Sequence, residues 1–265
     1  MSDARHNEAS ALGKRMHREL LFPTPIYYTD LAAADRLNPR LIEDIRAWQA
    51  ADPHGIFRSN LPALGGWHSP TDMHLRAHFT EITEEIFELL HGVFSDQGYD
   101  DAFEPVCDSM WANINPPGAF NRHHSHPNAL WSGVYYVHTP DDCGLLCLTD
   151  PRAQAHVLTG HFDPTRRSPH SREDIHYQPF AGRLIVFPGW LVHSTNPNLA
   201  KPQNVAEDRA EEDHAPEKAP ANALEVQRIS ISFNFRQRKK GLDPKKASAG
   251  EIVRADLQAR RQSPR

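Results

Sequence analysis

The second half of the chain consists of short β-type runs separated by Gly, Pro and Asp, with no helical pattern between them. Short strands in such an order are typical of a sandwich, a barrel or a jelly roll. The last run, Arg228 to Phe235, alternates strictly between apolar and polar side chains, which predicts one buried and one polar face. The predicted strands cover residues 109–114, 132–138, 145–148, 175–178, 183–187, 191–194 and 228–235.

Two amphipathic helices are predicted ahead of these strands. The first covers 39–50, since Asn38 is a good N-cap and Pro39 is tolerated at the first helical position. The second covers 70–91 and begins with a capping serine before a proline. An extended segment over 20–28 contains two prolines, which suit an edge strand. The chain is therefore predicted to be mainly β (α+β).

Length and composition fit a single domain with extensions. The domain is expected over residues 20–238, after a flexible N-terminus over 1–19 and before a basic tail over 239–265. The segment 200–225 is rich in Ala, Pro, Glu and Asp, which predicts a polar, mobile insertion.

The charge and the cysteines exclude several classes of protein. A net charge of −5 gives no electrostatic case for a nucleic-acid partner. Three cysteines without a framework argue against a disulfide-stapled secreted protein. No apolar run is long enough to span a bilayer, and the polar start has no signal-peptide core. The sequence predicts a cytoplasmic protein.

Two histidines separated by one residue, His124 and His126, are the strongest candidates for a metal site. In an extended segment such residues point to the same face about 6.5–7 Å apart, so both imidazoles can reach one ion. A third ligand must come from another strand, and His193 is the natural candidate. His123 is an alternative ligand, although its offset from His126 is poor for one strand face. The set would form a three-point site with open positions for oxygen and a cosubstrate.

Arg228 lies on the polar face of the last strand, where burial is costly without an anion. Its planar fork suits bidentate capture of a carboxylate. Ser232 and Tyr136 are candidates for further hydrogen bonds to the same group. A metal with a distal carboxylate clamp is what a chelating 2-oxo acid requires. No Gly-x-Ser-x-Gly elbow is present, and we predict no catalytic side chain beyond the metal centre.

The chain resembles the 2-oxoglutarate/iron(II) oxygenases related to the prolyl hydroxylase group. The resemblance rests on an ordered set of segments that covers most of residues 20–236: 21–25, 65–69, 111–115, 121–137, 188–194 and 228–234.

The resemblance implies a double-stranded β-helix, the jelly roll of cupin-like proteins, flanked by the N-terminal helices. It also implies Fe(II) and O2, with 2-oxoglutarate as the cosubstrate and succinate and CO2 as products. The HxH pair occupies the place of the HxD iron ligands of the superfamily, so His126 stands where a carboxylate is usual. The distal histidine corresponds to His193, the carboxylate-binding arginine to Arg228, and the hydroxyl residue of that strand to Ser232. The tyrosine beside it corresponds to Tyr136.

The neighbourhood of these motifs gives candidates for the rest of the site. Asn113 is a candidate for the cosubstrate or the substrate side, and four further residues for the substrate side alone. The expected partner is a small-molecule or peptide substrate, without membrane or nucleic acid, and a homodimer is compatible with the sequence. The four substrate-side candidates are Trp67, His68, Asn121 and Trp131.

Other interpretations stay open at this point. A three-histidine cupin-type dioxygenase would oxidise a substrate bound directly to iron, without 2-oxoglutarate. A non-enzymatic metal-binding jelly roll would consume no O2. An interaction role through the basic tail is a third, weaker interpretation.

Overall fold

The computed structural model describes residues 19–157, 160–202 and 224–241, and every strand predicted for the second half is present within them. The expected N-terminal segment 1–19, the insertion 200–225 and the tail 239–265 lie largely or wholly outside the described residues. The strands are β1 (Tyr27–Asp30), β2 (Trp67–His68), β3 (Phe103–Asn115), β4 (Trp131–His138), β5 (Leu146–Thr149), β6 (Asp174–Tyr177), β7 (Arg183–Pro188), β8 (His193–Thr195) and β9 (Arg228–Lys239).

The strands form two antiparallel sheets. The larger has the order β1-β7-β4-β9-β3-β2, and the smaller has the order β6-β5-β8. The long strand β9 lies between β4 and β3. This arrangement is the expected double-stranded β-helix.

The two faces of the large sheet have different partners. On one side, apolar side chains of β9 such as Phe233 and Phe235 pack in a core with Ile45 and Ile86 of the helices. On the other side, a smaller cluster that includes Val134 and Leu146 lies between the sheets. The alternation of β9 therefore sends its polar side chains toward the space between the two sheets.

Among the described residues, three α-helices precede the main strands: α1 (Ala34–Ala51), α2 (Gly55–Arg58) and α3 (Thr80–Asp96). Within the described ranges, no helix has the length and apolar character needed to cross a membrane. The expected start of the first helix at Pro39 is wrong, because α1 begins five residues earlier and contains Pro39. The expected cap, Asn38, instead accepts a hydrogen bond from the Tyr135 hydroxyl at 2.6 Å.

The second predicted helix, 70–91, is displaced toward the C-terminus. Its first ten residues contain two short 3-10 turns, Met73–Leu75 and Ala77–Phe79, and α3 continues past Gly92 to Asp96. The reason is that the apolar stripe runs on through the buried Val93 and Phe94. The helix is followed by Gly98 in the left-handed conformation, with φ of 67°.

Gly133 of β4 gives a test of the packing between sheet and core. A Cβ there would lie 2.3 Å from Phe233 Cζ and 2.6 Å from the Ile185 carbonyl oxygen. We expect Gly133→Ala to lower the free energy of unfolding by about 1–3 kcal/mol because the core is overpacked. Gly92 in α3 has nothing within 4 Å of such a Cβ, so Gly92→Ala should raise it by about 1 kcal/mol. Urea denaturation of both variants measures these changes in the free energy of unfolding. Equal changes in the two variants would contradict the close contact of Gly133 with the core.

Candidate metal centre

Three histidines meet between the two sheets. The rings of His124 and His193 have centroids 4.2 Å apart, and His126 lies 5.2 Å from each of them. One nitrogen of each ring lies within 4.8 Å of the others. No other set of three or more His, Cys, Asp or Glu residues with this spacing occurs in the described part of the chain. The two separate sequence segments therefore come together as predicted.

Backbone hydrogen bonds hold these segments side by side. His124 and His193 exchange both amide hydrogen bonds, at 3.0 and 2.9 Å, as an isolated antiparallel bridge. The His126 amide donates to the Gly189 carbonyl at 2.7 Å. A Cβ at Gly189 would lie 2.4 Å from the Ala129 carbonyl oxygen, so this turn requires glycine. The HxH segment is extended here without being a full strand.

Two of the imidazoles are oriented by main-chain carbonyls. Nδ1 of His124 lies 2.6 Å from the Arg122 carbonyl oxygen, and Nδ1 of His193 lies 2.9 Å from that of Leu191. A carbonyl can only accept, so each Nδ1 carries the proton and Nε2 keeps its lone pair. The arrangement suits metal binding through Nε2, and imidazole donors suit iron among other transition metals. The residues present therefore fit an iron(II) ion.

Burial favours the neutral form of His126 and His193. It lowers the pKa of His126 to about 4 and that of His193 to about 3, and the neighbouring His124 contributes to both shifts. Because a metal competes with protons for the imidazole lone pair, these low pKa values favour metal binding at neutral pH.

The same shifts predict how the stability of the metal-free protein depends on pH. An unfolded histidine takes up a proton near pH 6.5, whereas buried His193 does not do so until about pH 3. The unfolded state therefore binds more protons below pH 6.5, and stability falls as the pH falls. We expect His193 alone to contribute a loss of about 2 kcal/mol between pH 7 and pH 5. In urea denaturation of the metal-free proteins, His193→Gln should lose less unfolding free energy between pH 7 and pH 5 than the wild type. An equal loss in the two proteins would contradict the lowered pKa of His193.

Arg228 lines the same cavity as the histidines, and only 2% of its surface is exposed. Its guanidinium donates to the Cys143 carbonyl at 2.5 Å and to Thr195 Oγ1 at 3.1 Å. Burial lowers its pKa. Within the described residues no carboxylate pairs with it, so the guanidinium is a buried cation with neutral partners only. Burial of a cation without a counter-charge is costly, so an anionic ligand would stabilise this guanidinium.

The remaining cosubstrate candidates line the same cavity. Ser232 accepts a hydrogen bond from Asn113 at 3.1 Å across the β3–β9 pair. Tyr136 is buried, and burial raises the pKa of its phenol, so the hydroxyl stays protonated. Asn121 also lines the cavity.

Several lining residues were not among the predicted candidates, although their spacing along the strands predicts them. Trp111 and Asn115 lie two residues from Asn113 on either side, and strand alternation sends all three to one face. Thr195 and Ser230 follow in the same way from their neighbours His193 and Arg228.

Two substrate-side candidates lie elsewhere. Trp67 is 1% exposed, donates from Nε1 to the Asp52 carbonyl and packs in the helix-side core. Trp131 is 2% exposed in the same core and donates to the Tyr99 hydroxyl. Strand alternation turns both away from the cavity, so their expected role is wrong. His68 does not line the cavity, but its ring stacks on that of Trp111 at 5.3 Å.

A comparison with protein families matches residues 109–206 to the family described as "Putative 2OG-Fe(II) oxygenase". The matched segment contains the three histidines and most of the cavity. This match agrees with the resemblance found in the sequence, with the expected class of enzyme and with its expected use of iron and 2-oxoglutarate. No curated protein matches the chain.

Comparison with solved structures finds similar chains. A prolyl-4-hydroxylase from Pseudomonas putida superposes with a TM-score of 0.50 at 17% identity, covering 81% of this chain and 94% of that one. HygX from Streptomyces hygroscopicus, solved with nickel, 2-oxoglutarate and hygromycin B, has a TM-score of 0.49 at 8% identity and covers 80% and 82%. At these identities the comparison with the hydroxylase supports the double-stranded β-helix alone.

Proposed function

We propose that, as a 2OG-Fe(II) oxygenase, this chain binds iron(II) through His124, His126 and His193 and hydroxylates a substrate at the expense of 2-oxoglutarate. The far carboxylate of the cosubstrate is bound by Arg228. The observation that carries this proposal is the buried guanidinium, which shares one cavity with three imidazoles and has no carboxylate partner among the described residues.

Different residues bind the two ends of 2-oxoglutarate: the histidines hold the metal that binds its 2-oxo acid end, and Arg228 binds its far carboxylate. The fork of Arg228 offers two parallel donors, a geometry that fits a carboxylate and adds specificity. Its contacts to Cys143 and Thr195 hold it in place before the ligand arrives. The Tyr136 hydroxyl and the Ser232–Asn113 pair provide further polar contacts for the cosubstrate. Because these donors are already held in place, they can bind the cosubstrate without a rearrangement of the side chains.

Iron(II) with 2-oxoglutarate supplies the activation of O2 that couples decarboxylation of the 2-oxo acid to oxidation of a substrate C–H bond. The protein positions the reactants and excludes water. Apolar side chains of Val134, Leu146 and Phe187 line the cavity beside the histidines and limit the access of solvent.

The site differs from the usual pattern in its charge. His126 replaces a carboxylate by a neutral ring, and no Asp or Glu is among the described residues that line the cavity. The metal centre is therefore one unit more positive than a site with two histidines and one carboxylate. An anionic cosubstrate is favoured by this charge as well as by Arg228.

The alternative of a three-histidine dioxygenase without 2-oxoglutarate is disfavoured by the same arginine. The decisive experiment is succinate formation by the iron-loaded protein under O2. Succinate that appears only with 2-oxoglutarate, and that is lost in Arg228→Ala, supports the proposal. Oxidation of an added substrate without 2-oxoglutarate would support the alternative. Absence of any O2 consumption would support the metal-binding jelly roll.

We place the substrate on the side of Asn121 and His68, and we propose a small molecule or a peptide side chain. The environment proposed is a reducing one such as the cytoplasm. Its support is that all three cysteines, Cys107, Cys143 and Cys147, are free and buried.

A further inference from the structure

We infer that Asn234 is a positioning residue for His126: its side-chain amide orients the ring of this metal ligand and determines which ring nitrogen faces the ion. The inference rests on the proposed function, because it assigns a role toward the metal to a residue outside the ligand set. It concerns the one ligand at which this chain departs from the superfamily pattern.

Asn234 is the centre of a polar row across three strands. It lies on β9 directly between Ser132 of β4 and Ser109 of β3. Ser132 Oγ donates to its Oδ1 at 2.7 Å, and its Nδ2 donates to Ser109 Oγ at 3.0 Å. The same Nδ2 lies 3.5 Å from Nδ1 of His126. The amide is thus held on two sides by serines while one of its polar atoms faces the ligand ring.

His126 differs from the other two ligands in how its ring is oriented. His124 and His193 each have Nδ1 against the main-chain carbonyl two residues earlier, which fixes one tautomer. The polar contact recorded for the His126 ring within the described residues is the Asn234 amide. An amide has a donor end and an acceptor end, so it can select either tautomer.

The orientation of this amide is coupled to metal binding. With Nδ2 toward the ring, His126 accepts at Nδ1 and carries its proton on Nε2, which then has no lone pair for a metal. Rotation of the amide by about 180° brings Oδ1 to an Nδ1–H group and leaves the Nε2 lone pair free. Both serine hydroxyls can donate or accept, so the row satisfies either orientation. Metal binding through Nε2 selects the second.

Two substitutions at Asn234 separate this role from general packing. Asn234→Asp presents acceptor oxygens only, and the two serines can donate to them. We expect it to bind Co(II), used as a probe without 2-oxoglutarate, at least as tightly as the wild type. Asn234→Leu removes the acceptor and should weaken Co(II) binding by about 10- to 100-fold, the usual effect of losing a group that orients a ligand.

A matched control is Asn38→Leu. Asn38 is also a hydrogen-bonded asparagine, since it accepts from the Tyr135 hydroxyl at 2.6 Å, but it does not line the cavity. This variant should keep wild-type affinity for Co(II). Far-UV circular dichroism of each metal-free variant checks that it is folded.

A second readout is the 15N NMR spectrum of the Zn(II)-loaded wild-type protein. We expect the His126 ring to carry its proton on Nδ1 and to bind through Nε2. An unprotonated Nδ1 would overturn the inference even if Asn234→Leu fails to fold. Equal affinities of the Leu variant and the wild type, or equal weakening by Leu and Asp, would also overturn it. A wild-type protein that binds no Co(II) would instead refute the proposed function.

Discussion

Arg228→Ala should weaken the binding of 2-oxoglutarate by at least about 30-fold while the three histidines keep their affinity for the metal. Losing one partner of a buried, hydrogen-bonded charge pair costs about 2–5 kcal/mol, and about 1.4 kcal/mol corresponds to a factor of ten. The effect should be large because the guanidinium is 2% exposed and has no acidic partner among the described residues. Calorimetric titration of the metal-loaded protein with 2-oxoglutarate measures it.

Two further variants show whether the geometry or the charge of this side chain matters. Arg228→Lys keeps the positive charge but loses the fork, so we expect intermediate binding. Arg183→Ala is the matched control, because Arg183 pairs with Asp30 at 2.7 Å on β1 and does not line the cavity. Wild-type binding of 2-oxoglutarate by Arg228→Ala would refute the assignment of the carboxylate clamp.

His193→Ala should have the second large effect, a loss of metal affinity greater than the roughly 10- to 100-fold caused by losing a group that only orients a ligand. The site has three imidazoles from two segments, and His193 is the one most deeply buried. Two adjacent ligands on a short segment cannot enclose an ion without the distant third. Competition with a chelator gives the affinity.

His123→Ala is the matched control, because it also removes an imidazole side chain close to the metal site. His123 is exposed, is adjacent to His124 in sequence and contacts Ser194 through Nε2 at 3.4 Å, but it is not in the metal cluster. We expect its removal to leave metal binding unchanged. A loss equal to that of His193→Ala would show that the ligand set has been assigned incorrectly.

Sequence patterns predicted the features that depend on local periodicity. The alternation of β9 fixed both its buried face and the direction of Arg228, and the two-residue spacing placed His124 and His126 together. The meeting of these residues with His193 follows from strand pairing, which no local pattern contains. It was predicted from the number of ligands that a metal needs and from the resemblance to a family.

The errors have equally specific causes. The Asn38-Pro39 pattern predicts a helix start, whereas tertiary contacts of Asn38 and the buried Leu37 extend α1 ahead of it. Trp67 and Trp131 were assigned to the site because they are close in sequence to its motifs. Side chains on neighbouring strand positions point to opposite faces, so closeness in sequence is a poor guide to a cavity. The role of Asn234 becomes visible only when three strands are aligned.

The most direct test of the account is anaerobic titration of the iron(II)-loaded protein with 2-oxoglutarate, followed by visible absorption. Chelation of the 2-oxo acid by iron(II) gives a metal-to-ligand charge-transfer band. We expect this band to appear and saturate in the wild type, to require much more 2-oxoglutarate in Arg228→Ala and to be absent in His193→Ala. A wild-type protein that binds iron but develops no such band would contradict the assignment of the cavity to iron and 2-oxoglutarate together.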